Sequence, residues 1–276
     1  MRRRTELGIV SLVLLALGLP LRAGDLTVTS QNTLHLGWGK TNQNNFSNQF
    51  KVDAIWQVMK MGHVGIMQEV MPNAPLGRFG PPAKCVGTCK LYPSGFFGPG
   101  QYKEAYVFIV VDSSKSKPAL TLTPCSALAG AKCNTFSRPP VSLLFTPAGS
   151  TGVWVADFHA IWGDSKGDRK KEANSMLAVI AGLRNKSAGS KVIVGGDWNL
   201  DAGEVKTEVG CGSGCTAVGP TDDTSLTKGG DLSSSYDHFI GTLTVKKQDV
   251  LDPPIPNVTW RTKVSDHLPV LGTYTY

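Results

Sequence analysis

Four apolar runs in this chain stop at polar side chains of a kind that can do chemistry. Asn32, Glu69, His159 and the pair Asp197 and Asn199 follow them, and Asp266-His267 opens a fifth run. Carboxylates and amides offer hard oxygens, the donors that a small divalent cation prefers. Histidines can give or take a proton near neutral pH. Residues 192–199, Val-Ile-Val-Gly-Gly-Asp-Trp-Asn, are the clearest instance. A β-branched run ends there in two glycines and then delivers a carboxylate and an amide. Singly, each residue is ordinary, since a glutamate after a strand is commonly a solvated rim residue. Recurrence carries the argument, because strands lying together in a sheet bring such groups to one rigid edge.

The elements that must position these residues follow from periodicity. Residues 26–30 alternate as a half-buried strand ending at Gln31-Asn32, and 64–67 form a short strand ending at Gln68-Glu69. Further strands are expected at 105–111, 141–145, 153–158, 192–194, 236–242 and 268–274, with a turn at 147–150 joining the second and third of these. Phe46, Phe50, Ala54, Ile55 and Val58 share one face of a helix over 46–61. A second helix over 169–184 turns Ala173, Met176, Leu177, Ile180 and Leu183 inward. Its basic start, Arg169-Lys170-Lys171, opposes the helix dipole. Residues 71–100 and 203–235 read as irregular, the first rich in Pro and Gly and the second polar. With no repeat or linker, this mixture argues for one α/β domain over residues 24–276.

Arg2, Arg3 and Arg4 precede an apolar stretch over 8–19 and a small residue, Ala23, the pattern of a secretory signal peptide over residues 1–23. No other stretch is long and apolar enough to span a bilayer, so a soluble exported protein, extracellular or periplasmic, is expected. The 276 residues are 41% hydrophobic and 18% charged, an ordinary globular composition. Formal net charge is +7, and removal of residues 1–23 leaves +4. That suits a polyanionic substrate without demanding one. The six cysteines fall into sequence-local couples, Cys85/Cys89, Cys125/Cys133 and Cys211/Cys215. Export favours disulfides, and local pairing is preferred over a zinc site, since no Cys-x-x-Cys spacing occurs.

Gln68-Glu69, Gly196-Asp197-Trp198-Asn199 and Ser265-Asp266-His267-Leu268-Pro269-Val270 resemble, in order and spacing, the motifs of the endonuclease/exonuclease/phosphatase superfamily. The resemblance runs from Asn32 to the C-terminus. Pro75-Leu76-Gly77-Arg78, Tyr102-Lys103-Glu104, Phe136-Ser137-Arg138 and Tyr236-Asp237-His238 are similar to stretches of the deoxyribonuclease I branch.

The resemblance implies a two-sheet, four-layer α/β sandwich and a divalent-metal-dependent phosphodiesterase. It implies Glu69 as the main ligand of Mg2+ (or Mn2+), with Asn32 and Asp266 completing or supporting the shell. His267, oriented by Asp237, would take a proton from water. His159, paired with Glu104, would serve the leaving oxygen, and Asp197 and Asn199 would hold the phosphate or the water. Which histidine is acid and which is base stays open. Tyr102 and Arg138 match residues that contact sugar and phosphate.

Some positions depart from that pattern. Met71 stands where the branch has a groove-reading arginine. Asn134 and Pro139 replace carboxylates of its structural calcium sites, leaving Asp222-Asp223-Thr224 as an alternative Ca2+ site or a plain polar turn. A secreted, monomeric endonuclease acting on DNA with low sequence specificity, and without stable membrane association, is the expectation. A sphingomyelinase-like phospholipid phosphodiesterase of the same fold is its rival. An inactive toxin-like or adhesive module is a second, which the full residue set disfavours.

Overall fold

A computed structural model of the protein describes residues 24–37, 49–78, 89–98, 100, 103–111, 121–146, 150–163, 165–210 and 212–276. The signal-like segment 1–23, Phe46, Cys85, Tyr102, residues 147–149 of the expected turn, and Cys211 lie outside the described residues. In chain order the elements are β1 (Asp25–Leu36), α1 (Gln49–Met59), β2 (Val64–Val70), β3 (Lys90–Pro93), β4 (Ala105–Val110), β5 (Leu122–Pro124) and β6 (Val141–Phe145). There follow β7 (Val153–His159), α2 (Lys166–Lys186), β8 (Lys191–Asp197), α3 (Ala202–Val209), β9 (Asp237–Gly241), β10 (Thr244–Val250), α4 (Asn257–Lys263) and β11 (Val270–Thr275).

Two sheets form, in the orders β10-β11-β1-β2-β4-β3 and β5-β6-β7-β8-β9. Their inner faces share a core in which Leu26, Val28, Val64 and Ile66 of the first meet Val153, Val155, Ile193 and Phe239 of the second. Outside the first sheet, Val52, Ile55 and Trp56 of α1 and Trp260 of α4 make another apolar layer. Outside the second, Met176, Val179 and Leu183 of α2 and Val205 of α3 do the same. The result is the four-layer α/β sandwich expected from the sequence.

Strand direction decides where the polar groups go. β1 and β2 are parallel, as are β7 and β8, so all four end at one edge. β4, β9 and β11 run antiparallel to their neighbours and begin at that edge. The inward rows have period two and turn polar as they approach it. Leu26-Val28 runs on to Ser30 and Asn32, Val153-Val155 to Asp157 and His159, and Ile193-Gly195 to Asp197. A side chain at Gly195 would strike Phe239 and Ile66, so its absence lets the sheets close just below the edge.

Several elements differ from the sequence expectations. β1 does not end at Asn32, and β2 does not end before Glu69. Both continue through irregular pairing, with left-handed backbone at Leu34 (φ 44°), His35 (φ 54°) and Glu69 (φ 57°). Residues 90–93, expected to be irregular, add β3 to the edge of a sheet. The polar stretch 203–235 carries most of α3, and β10 and α4 were not foreseen at all. These pieces are short or amphipathic only against their neighbours, so local sequence does not announce them.

Leu177, expected to face inward, is 41% exposed on α2. The basic start of that helix finds its answer in α3. Lys166 and Lys170 lie 2.7 and 3.6 Å from Glu204, and Lys170 lies 3.1 Å from Glu208. Ser165 caps α2 by accepting from the Asp168 N–H at 3.2 Å. Cys125 and Cys133 form the local disulfide expected, and Cys89 and Cys215 are also disulfide-bonded.

Between the sheets, the Gln68 amide donates to Ser30 Oγ (3.1 Å) and to Asp157 Oδ1. Asp157 Oδ2 and Gln68 Oε1 have no partner among the described residues. Burial pushes the Asp157 carboxyl well above the usual range, so the fold favours its neutral form. The unfolded chain releases this proton near pH 4 (about 3.9). Stability from this group is therefore fully present below that pH and is lost as pH rises toward the folded value. Asp157→Asn should remove the loss. Urea unfolding at acid and neutral pH should show the variant gaining on the wild type as pH rises, and parallel profiles would contradict a neutral Asp157.

Candidate active site

Glu69 and Asp197, one from each sheet, are joined by a single amide. Asn32 Nδ2 donates to Glu69 Oε1 and to Asp197 Oδ2, both at 3.0 Å. The other Glu69 oxygen, Oε2, accepts the His35 backbone N–H at 2.9 Å. Asn32 Oδ1 accepts the Leu34 N–H at 3.0 Å, which fixes the amide's orientation.

Two histidine–carboxylate pairs flank Asp197. His159 Nδ1 lies 2.7 Å from Glu104 Oε1, and its Nε2 lies 3.7 Å from Asp197 Oδ2 and 3.8 Å from Glu69 Oε1. His267 Nδ1 lies 2.7 Å from Asp237 Oδ2, and its Nε2 lies 3.6 Å from Asp197 Oδ2. Each ring is thus anchored by one nitrogen and presents the other to the centre. Ser265 explains part of the Ser-Asp-His motif: it donates to the Asn32 carbonyl at 2.7 Å and accepts the His267 N–H at 3.1 Å. Thr224 Oγ1 accepts the N–H of Asp237 at 3.0 Å, so this residue of the suggested calcium turn supports the site instead.

The two rings are driven apart electrostatically. Burial and the nearby Arg138 charge lower the His159 pKa to about 4, against the pull of Asp197 and Glu69. Burial also opposes charge on His267, but Asp237, Asp197 and Asp266 outweigh it and hold its pKa well above the ordinary value. Burial raises Glu104 to about 7 despite Arg138. Glu104 thus links His159 to Arg138, whose Nε lies 3.6 Å from Glu104 Oε1. Asp197 is raised by burial, with His267 and His159 opposing.

The other expected site residues take different places. Asn199 donates to the Ala160 carbonyl at 3.3 Å and its N–H to Asp197 Oδ1 at 2.9 Å, so it braces the ends of β7 and β8. Gly196 belongs to the same brace. Its φ is 136°, and a Cβ there would run into the Phe158 carbonyl. Asp266 lies 3.8 Å from Arg261, and its charge acts on His267 and, together with that of Glu69, on the buried Lys51. Arg138 is only 8% exposed and donates to the carbonyls of His159 (3.3 Å) and Ala160 (2.8 Å). It also lies 3.6 Å from Glu104 and so clamps the region behind His159.

Two residues were missed by sequence reasoning. His35 Nε2 lies 3.3 Å from Glu69 Oε2. Lys51, fully buried in α1, donates to the Leu34 carbonyl at 2.9 Å, and burial lowers its pKa to about 7. A lysine among apolar helix positions was the available signal for the second; nothing local marks the first.

A cation could meet two donor sets here. Asp197, Asp237 and His267 bring ligand atoms within 4.8 Å of one another. His267 Nδ1 is occupied by Asp237, however, which leaves only Nε2 of that ring to the centre. Glu69 fits better, with a partly exposed carboxylate held by a neutral amide and a backbone N–H.

No family model matches the chain, and no curated protein matches it. Solved structures do. An endonuclease/exonuclease/phosphatase protein from Bacteroides vulgatus has a TM-score of 0.64 at 15% identity, covering 91% of this chain and 98% of that one. This chain has the endonuclease/exonuclease/phosphatase fold. ANGEL2, described as a 2',3'-cyclic phosphatase, gives 0.63 at 14% identity over 91% of this chain and 95% of that chain. D. rerio TDP2 complexed with a single-strand DNA product gives 0.61 at 15% identity over 91% and 99%.

Proposed function

We propose that this chain is a secreted, divalent-metal-dependent phosphodiesterase that cleaves DNA as an endonuclease of low sequence specificity and acts as a monomer. One observation carries the reading: two anchored imidazoles face one buried carboxylate at 3.6 and 3.7 Å, with Glu69 beside them. A phosphodiester resists attack because its charge repels the nucleophile and grows in the transition state. A cation at Glu69, supported by Asn32, would supply charge neutralisation to the phosphate oxygens and would acidify a water.

The chain's own groups divide the remaining work. His267, held in its charged form by Asp237, donates a hydrogen bond or proton from Nε2. His159 Nε2 and Asp197 Oδ2 are the acceptors, placed to take a proton from a water lying between them. The sequence left open which histidine is acid and which is base, and the opposite pKa shifts favour His267 as the donor. Low sequence specificity fits contacts made to phosphate and sugar instead of bases. The net charge, +4 without residues 1–23, suits a polyanion, and the DNA product bound by one structural neighbour points the same way. Trp162, 77% exposed three residues after His159, offers a face on which a base can stack.

The same tryptophan would also suit a lipid surface, which keeps the sphingomyelinase reading as the alternative. No helix among the described residues is long and apolar enough to cross a membrane. The test is relaxation of supercoiled plasmid by the mature protein, with and without a chelator, beside release of phosphocholine from sphingomyelin vesicles. Metal-dependent nicking without lipid cleavage is expected. Lipid cleavage without nicking would replace the nuclease.

A further inference from the structure

We propose that His35 is a second protein ligand, through Nε2, to the divalent ion held at Glu69, and that it biases the site toward transition ions such as Co2+ and Zn2+ over Mg2+. This rests on the metal-dependent reading above and specifies which ion that reading requires.

His35 Nε2 and Glu69 Oε2 are 3.3 Å apart. Two atoms bound to one ion at about 2.1 Å, roughly at right angles, lie about 3 Å apart. Both side chains are partly open to solvent, at 24% and 12%, so an ion can reach them. The His35 backbone N–H also donates to that same carboxylate oxygen, at 2.9 Å, so ring and carboxylate are held as a unit.

The backbone is bent to make this pairing. Leu34, His35 and Glu69 have φ of 44°, 54° and 57°, and none is glycine. Such conformations are costly for residues other than glycine and persist where the surroundings overdetermine them. Here they do. Lys51 Nζ holds the Leu34 carbonyl at 2.9 Å from within the core, and Asn32 Oδ1 takes the Leu34 N–H at 3.0 Å. Thr33 Oγ1 donates to the Gln68 carbonyl at 2.7 Å, tying the two bent strands together. An ordinary continuation of β1 would alternate side chains across the sheet instead of setting His35 beside Glu69.

Donor chemistry then sets the preference. Magnesium favours oxygen alone and keeps much of its water, whereas imidazole nitrogen favours the later first-row ions.

The test is isothermal titration of the mature protein with Mg2+, Co2+ and Zn2+, together with the visible spectrum of the Co2+ form. Asparagine tolerates left-handed backbone, so His35→Asn keeps the bend while exchanging nitrogen for an amide. Wild type should bind Co2+ and Zn2+ more tightly than Mg2+. His35→Asn should lose at least about tenfold for Co2+ and Zn2+, lose much less for Mg2+, and alter the Co2+ spectrum. Equal losses for all three ions with an unchanged spectrum would make His35 a mere support for Glu69 and overturn the proposal. If Glu69→Gln abolishes binding while His35→Asn changes nothing, the metal-dependent reading stands and this inference falls. If Glu69→Gln leaves binding intact, that reading falls with it.

Discussion

His267→Ala and His159→Ala are each expected to slow plasmid nicking by roughly 10²–10⁴-fold, the range for losing a positioned general acid or base. Both rings are buried and each is anchored by a carboxylate at 2.7 Å, so neither is a casual surface histidine. Their Nε2 atoms converge on one oxygen, Asp197 Oδ2. Groups that act on one reacting centre fail together, so the double variant should fall far short of the product of the two losses. A multiplicative loss would mean that the rings work independently.

Their charge states give a sharper check. The Asp237 carboxylate raises the His267 pKa, so Asp237→Asn must lower it. If activity needs charged His267, the alkaline limb of the pH–rate profile then moves to lower pH. A limb that stays in place would remove His267 as the proton donor, and a shift of the acid limb alone would restore it as the base. Circular dichroism and thermal unfolding of each variant separate a chemical defect from a folding one.

Glu69→Gln should cost at least about a hundredfold in nicking, since even residues one step behind a metal ligand commonly cost 10–100-fold. The substitution is nearly isosteric. Its amide oxygen can still accept from Asn32 Nδ2 or from the His35 N–H, the two contacts that Glu69 makes at 3.0 and 2.9 Å. What disappears is the negative charge. Excess Mg2+ should therefore restore little activity, and the unfolding midpoint should stay near that of the wild type. Asn32→Ala should fall between wild type and Glu69→Gln, because it frees two carboxylates from their shared donor without removing either. Activity of Glu69→Gln within tenfold of wild type at matched metal would take Glu69 out of the ion's shell.

Much of the site was legible because its residues follow strands, and strands announce themselves by alternation. Val153 to Phe158 and Val192 to Val194 could be read as buried runs leading to His159 and Asp197, and the convergence of those two residues required only that the strands share a sheet. The two histidine–carboxylate pairs were likewise nameable from motif order. Their protonation was not. It depends on Arg138 lying behind His159 and on Asp197 and Asp237, both remote in sequence, joining the adjacent Asp266 around His267.

The sequence by itself determined the α/β character, the two principal helices, and the set of carboxylates, amides and histidines delivered at strand ends. Only the tertiary structure decided what stands beside what. Arg138, matched by resemblance to a residue that contacts sugar or phosphate, holds two backbone carbonyls in the interior and lies 3.6 Å from Glu104. His35 lies beyond the strand expected to end at Asn32 and carried no reading of its own, yet it meets Glu69, because two neighbouring strands bend through left-handed backbone at matching places. That bend costs energy locally and is held by Lys51, Asn32 and Thr33. A local pattern reports a residue's own preference, whereas a strained conformation is stabilised by contacts that exist only once the chain has folded.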